Sequence, residues 1–274
     1  MLNVKFYKPK ENLSWLVRKF ETIKTSDSLG SYEDFFIPRP DVALVFHFAD
    51  LPLLLSENKS QLKPIFIAPI RTKPLQMQIL GALDCFIVIC NVTSLSKVLG
   101  LNFFKISYGY LEVKETWLNS IFNDLVGLKS CQERIECFSN HIQHLFPNGY
   151  TPDNIDGIYL DILKNSLQKP LSNIIKNAPC SVSSLQRNFI KRTGVSMKKL
   201  IRIARVNAIF EKMLEKNQFD YKEVLFESQY YDQSHFIKDF KDITGSNPST
   251  FFRQNSDLCK ILSGIHNSQN VFNS

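Results

Sequence analysis

Large apolar residues stand four apart, on one helical face, in two stretches of the chain: Leu185 with Phe189, and Phe236 with Phe240, 51 residues further on. Each pair brackets a cation, Arg187 or Lys238, and each runs on to a Thr-Gly pair, Thr193-Gly194 or Thr244-Gly245. The pattern predicts two short helices with a buried inner face and a basic, polar outer face, each stopped by glycine. Such a unit, used twice at fixed separation, suits a reader of two neighbouring DNA grooves.

Up to about Val113 the periodicity is that of strands. Phe35 to Ile37, Val42 to Phe48, Ile65 to Ile67 and Cys85 to Val92 are short runs rich in Val, Ile and Phe, punctuated by Pro38, Pro40, Pro52, Pro64, Pro69 and Pro74. They predict a small sheet or barrel. From Glu115 to Phe146 the spacing turns helical, with Trp117, Ile121 and Leu125 on one stripe and Ile135, Phe138, Ile142 and Leu145 on the next.

The cluster Pro147-Asn148-Gly149-Tyr150-Thr151-Pro152 has the composition of a domain boundary. Beyond it the chain reads helical: Asp153 to Leu167, Leu171 to Asn177, a helix capped by Ser181 and running to Thr193, a long helix from Ser196 to Asn217, Tyr221 to Ser228, and Gln233 to Ile243 capped by Asp232. The long helix would span about 31 Å, close to the roughly 34 Å of one DNA turn. The expected architecture is α+β. Residues 1–147 form a β-rich regulatory or dimerisation domain with two C-terminal helices, 152–253 form two helix-turn-helix units joined by the long helix, and 254–274 form a frayed tail.

The net charge of +7 is modest, yet residues 162–210 hold ten cations and no acid, so the rest of the chain sums to −3. Forty-nine residues without an acid, lying across one copy of the repeat, point to a phosphate-facing surface. With 44% hydrophobic and 22% charged residues the composition is that of a soluble globular protein. No apolar run reaches the roughly 18 residues of a membrane span, and the N-terminus carries no secretory pattern, which places the chain in the cytoplasm. The six cysteines lack Cys-x-x-Cys spacing and are expected as reduced thiols.

On Ser183-Ser184-Leu185-Gln186-Arg187-Asn188-Phe189, on Lys191-Arg192-Thr193-Gly194-Val195-Ser196, and above all on Tyr230 to Lys241 with Thr244-Gly245 and Pro248, residues 153–253 resemble the DNA-binding domain of the AraC/XylS family of bacterial transcription regulators. The resemblance implies two helix-turn-helix units flanking a connecting helix, and it agrees with the periodicity. The chain departs from the family pattern at Met197, Leu225, Gln229 and Asn247, where proline, alanine, glycine and serine are usual. The N-terminal part is similar to the β-rich regulatory domain of a subset of the family. That likeness implies sensing, dimerisation or both; the partners expected of the chain are double-stranded DNA, a small-molecule effector, a second copy of itself and RNA polymerase.

Arg187, with Ser183 and Gln186 on the same outward turn, is the candidate base reader of the first unit, because an arginine fork matches a guanine edge and glutamine matches adenine. Gln233, Ser234 and Lys238 hold the corresponding places in the second. Lys191, Arg192, Lys198, Lys199, Arg202 and Lys241 are expected on phosphates, which require proximity and not register. His235 reads as a surface histidine beside the second set, and His47 as a structural residue or a lining of a sensor pocket.

Cys137, His141 and His144 share one helical face, but no fourth ligand accompanies them, so no metal or cofactor is expected. Glycine-rich phosphate loops, nucleophile elbows and His-Glu-x-x-His are lacking, and the chain is read as non-enzymatic. The rivals are a DNA-repair enzyme using Cys180 and a non-specific architectural DNA binder.

Overall fold

The computed structural model describes residues 2–25, 31–55, 59–106, 110–112, 116–176, 178–215, 230 and 232–254. Ten strands occur among them: β1 (Leu2–Tyr7), β2 (Val17–Thr25), β3 (Ser31–Phe36), β4 (Val42–His47), β5 (Leu53–Leu54), β6 (Ser60–Gln61), β7 (Ile65–Ala68), β8 (Leu75–Leu80), β9 (Asp84–Cys90) and β10 (Leu111–Glu112). They form two antiparallel sheets, one ordered β1-β2-β9-β4-β7-β10 and the other β3-β8-β5-β6.

Strand β9 explains why the N-terminal periodicity is blurred. Cys85, Ile87 and Ile89 point to one face and enter the core shared with Leu54, Met77 and Ile79 of the small sheet. Phe86, Val88 and Cys90 point to the other face, where Phe20, Phe46 and Phe86 meet Phe138 edge-on. A strand buried on both faces reads as a continuous apolar run and hides its alternation. Strand β2 is hidden in the sequence for the opposite reason: Arg18, Lys19, Glu21 and Lys24 make Val17–Thr25 look like a loop. Glu21 is nevertheless buried, because Lys19 and Arg39 neutralise it at 2.8 and 3.2 Å.

The helices are α1 (Val92–Val98), α2 (Thr116–Val126), α3 (Cys131–Leu145), α4 (Asn154–Asn165), α5 (Leu171–Ile174), α6 (Val182–Thr193), α7 (Met197–Glu215), α8 (Gln233–Thr244) and α9 (Pro248–Gln254). Predicted caps are observed at Ser181, Ser196 and Asp232, whose side chains accept from the backbone N–H of Ser184, Lys199 and His235. Three expectations are corrected. Leu118 takes the buried place expected of Trp117, Leu145 is exposed, and the helix expected over Leu171 to Asn177 stops at Ile174. The predicted helix Tyr221 to Ser228, the departures at Leu225 and Gln229 and the tail from 255 lie outside the described residues.

One hydrophobic cluster runs from the outer face of the large sheet, through Phe138 and Leu95, into Tyr159, Phe189, Leu200 and Phe240 of the helical part. Asn207 of α7 donates to the carbonyl of Pro38 and Tyr159 of α4 to that of Pro40, so two helices grip the same proline-rich turn.

Candidate nucleic-acid interface

Helices α6 and α8 repeat in three dimensions what they repeat in sequence. Leu185 and Phe189 are fully buried in the first, Phe236 and Phe240 in the second. Gly194 and Gly245 end them at φ +80° and +84°, where glycine has no Cβ to crowd the following carbonyl. The threonine before each glycine has its own use. The Thr193 hydroxyl lies 2.8 Å from the carbonyls of Phe189 and Val195, and that of Thr244 lies 2.8 and 3.0 Å from those of Phe240 and Ser246. Each buried hydroxyl thereby joins the last turn of a helix to the chain leaving it.

With the apolar faces inside, the polar ones are outside. Ser183, Gln186 and Arg187 are exposed on α6, and Gln233, Ser234 and Lys238 on α8. His235 is half-buried, edge-on to Tyr230 at 5.0 Å.

The six cations expected on phosphates divide into two groups. Lys191, Lys198 and Lys241 are exposed. Lys199 and Arg202 instead hold α7 to α8: Lys199 pairs with Asp242 at 2.8 Å, and Arg202 reaches Asp239 at 2.7 Å and Asp242 at 2.8 Å. The hydrogen bond from Lys199 is the main reason the Asp242 carboxyl lies below its ordinary range. Asp239 is almost wholly buried and also accepts from the Tyr230 hydroxyl.

Arg192 is turned inward, away from the place expected of it. Its guanidinium meets Asp153 at 2.7 Å, Asp156 at 2.6 Å, the Tyr150 hydroxyl at 3.1 Å and the Thr93 carbonyl at 2.7 Å. The acid-free segment thus finds its counter-charges elsewhere in the chain. Burial pushes the Asp153 carboxyl up, but the hydrogen bonds and charge of Arg192 outweigh it and hold the group at about 2.

A cavity of about 150 Å³ lies between the two sheets, walled by side chains such as Ile23, Phe36, Val45 and Phe66. His47 and Cys85 line it together, with Nδ1 and Sγ 3.0 Å apart. Burial lowers His47 to about 4 and raises the Cys85 thiol, so both are neutral and share one hydrogen. Arg39, Glu21 and Asp41 supply charge at its edge. His47 was the one part of this cavity visible in the sequence; the rest is assembled from strands distant along the chain.

His141 faces Asp124 at 2.7 Å, and no group of three or more His, Cys, Asp or Glu side chains able to hold a metal is gathered among the described residues. Cys180 is exposed in the turn before α6. No described helix is long and apolar enough to cross a membrane.

Residues 174–254, which contain α6 to α9, match the family model of a helix-turn-helix domain. No curated protein matches the chain. Among solved structures, ToxT from Vibrio cholerae is 14% identical, with 91% of this chain and 96% of that chain covered and a TM-score of 0.47. A ToxT structure with an unsaturated fatty acid bound is 15% identical, with 98% and 97% covered and a TM-score of 0.46. The AraC-like transcriptional activator CuxR is 8% identical, with 89% and 88% covered and a TM-score of 0.30. The matched segment, with its twice-used capped and glycine-stopped helix, is a helix-turn-helix domain.

Proposed function

We propose that the chain regulates transcription by laying α6 and α8 into successive major grooves of duplex DNA. Ser183, Gln186 and Arg187 read bases in one groove, and Gln233, Ser234 and Lys238 in the next. The observation that carries this reading is that all six are exposed on helices whose opposite faces are buried. Lys191, Lys198 and Lys241 neutralise phosphates. Residues 152–253 are the DNA-binding unit, and residues 1–147 the unit that senses an effector and supports homodimerisation. RNA polymerase is the partner at the promoter.

The cavity supports effector control. Its volume and its walls, mostly aliphatic and aromatic with charge at the edge, suit a small, largely apolar molecule.

Footprinting the full chain on DNA flanking its own gene tests the reading, with binding followed across a salt series. Three lysine contacts predict that log K falls with log salt at a slope of about −3 or steeper. Two protected patches one helical turn apart are the expected result. Binding that ignores salt, or that protects all sequences alike, would sink it.

A further inference from the structure

Among the cations of the acid-free segment, Arg192 is singled out by what surrounds it. It stands on the reading helix α6, five residues after Arg187, and every acceptor around it belongs to another part of the chain. Asp153 and Asp156 come from the start of α4, where they also form its capping box, and Tyr150 from the turn before it. The Thr93 carbonyl comes from the first turn of α1, approached by Nε at 3.2 Å and by a terminal nitrogen at 2.7 Å. The surroundings are themselves braced. Lys97 reaches Asp153 at 3.3 Å, and the Tyr150 ring stacks on Trp15 at 5.0 Å.

The start of α1 leads straight to the cavity. Strand β9 lines it with Cys85, Ile87 and Ile89 and ends at Cys90; Asn91 follows, and α1 begins at Val92. The Asn91 side chain donates to the carbonyls of Ser14 and Trp15, which anchors that corner. One strand and one helical turn therefore separate the cavity wall from the carbonyl that Arg192 grips. The contact leaves Ser183, Gln186 and Arg187 exposed, so it orients the reading face without covering it.

We infer that Arg192 is a positioning residue, and not a DNA contact: it ties the first reading helix to the cavity-bearing sheet through Thr93, Asp153 and Asp156. The inference rests on the proposed DNA-reading function, and it separates two cations of one helix, Arg187 facing the bases and Arg192 facing the protein. A guanidinium suits the task because its planar fork serves a carbonyl and two carboxylates at once.

The test uses the full chain and the variants Arg192→Ala, Arg192→Lys, Asp156→Asn and Asp153→Asn. Affinity for the footprinted site and for random duplex is measured across a salt series, and hydrogen exchange is followed in α6. For Arg192→Ala, positioning predicts about a tenfold loss of specific affinity, unchanged random binding, an unchanged salt slope and faster exchange in α6. Arg192→Lys keeps the charge but not the fork, and is expected to resemble Ala. Asp156→Asn and Asp153→Asn are expected to weaken specific binding although each removes a negative charge.

A salt slope lowered by about one in Arg192→Ala, with Lys restoring affinity and the Asn variants binding more tightly, would make Arg192 a phosphate contact and overturn the inference. Unchanged specific affinity and exchange in Arg192→Ala would also overturn it. A wild-type chain that binds no DNA would instead remove the functional reading, while the exchange of α6 still reports whether Arg192 positions that helix.

Discussion

Gly194 ends α6 against the N-terminal part of the chain, and a Cβ built on it would stand 3.1 Å from the carbonyl oxygen of Phe103. At Gly245, the equivalent position of the second unit, the nearest atom is Cγ of Pro74 at 3.4 Å. Both glycines are left-handed, so alanine costs about 1–2 kcal/mol at either from backbone strain. Only Gly194→Ala also forces a backbone carbonyl to move. Urea melts of the full chain are expected to rank Gly194→Ala as the more destabilising change, and equal losses would mean that the Phe103 contact is not tight.

Arg187→Ala and Lys198→Ala each remove one exposed cation, but with different expected consequences. The first is predicted to cost about 1–3 kcal/mol of specific binding and to relax preference at one base position. The second weakens all sequences alike and lowers the salt slope by about one. Competition by single-base variants of the footprinted site separates them, and uniform loss in both would show that Arg187 does not read a base.

Arg202 is expected to matter for the second unit's stability more than for charge. Removing it leaves Asp239, whose side chain is 4% exposed, with the Tyr230 hydroxyl at 3.3 Å and the His235 ring at 4.0 Å. Arg202→Ala should destabilise the chain by roughly 2–3 kcal/mol. Asp239→Asn, which leaves no buried charge behind, should cost less. A denaturant series showing the reverse order would disprove the pairing.

Acid should act on the chain in two windows. His47 titrates at about 4 in the folded chain against 6.5 unfolded, because burial disfavours its cation. Between those values the unfolded chain binds the extra proton, so stability falls as pH drops from about 6.5 to 4, by on the order of 3 kcal/mol. The carboxyls of Asp84, Asp153 and Asp242 are lowered from 3.8, so the stability they lend is present above that value and is lost below it. Replacing His47 by leucine should flatten the upper window and leave the lower one, as read by melts at successive pH values. A wild-type chain with constant stability from pH 7 to 4.5 would contradict the burial of a neutral histidine.

A small apolar guest in the cavity should raise Tm in proportion to its occupancy. Filling the space by Ala43→Leu should abolish the rise, because Ala43 lines the cavity wall. A guest that stabilises the parent and the filled variant equally binds elsewhere.

Helices α6 and α8 were legible because everything that makes them is local. Ser181 and Asp232 cap backbone donors three residues on, Phe189 and Phe240 fall one turn after Leu185 and Phe236, and Gly194 and Gly245 stop the helices by their own conformation. Strands β1 and β2 were not legible, since their pairing brings Phe6 opposite Glu21 and depends on which partner covers the charged residues.

Composition and periodicity along the chain were enough to specify two outward helices, a basic segment around the first and a β-rich part ahead of them, because capping, helical stripes and glycine stops act within a turn or two. Which cations face outward was settled by contacts across the fold. Arg192, Lys199 and Arg202 carry the same formal charge as Arg187 and Lys191, but their partners lie 36 to 99 residues away in Asp156, Asp242, Asp239 and Thr93. A charge is a property of one residue, whereas its neutralisation is a property of the distant residues that folding brings to it.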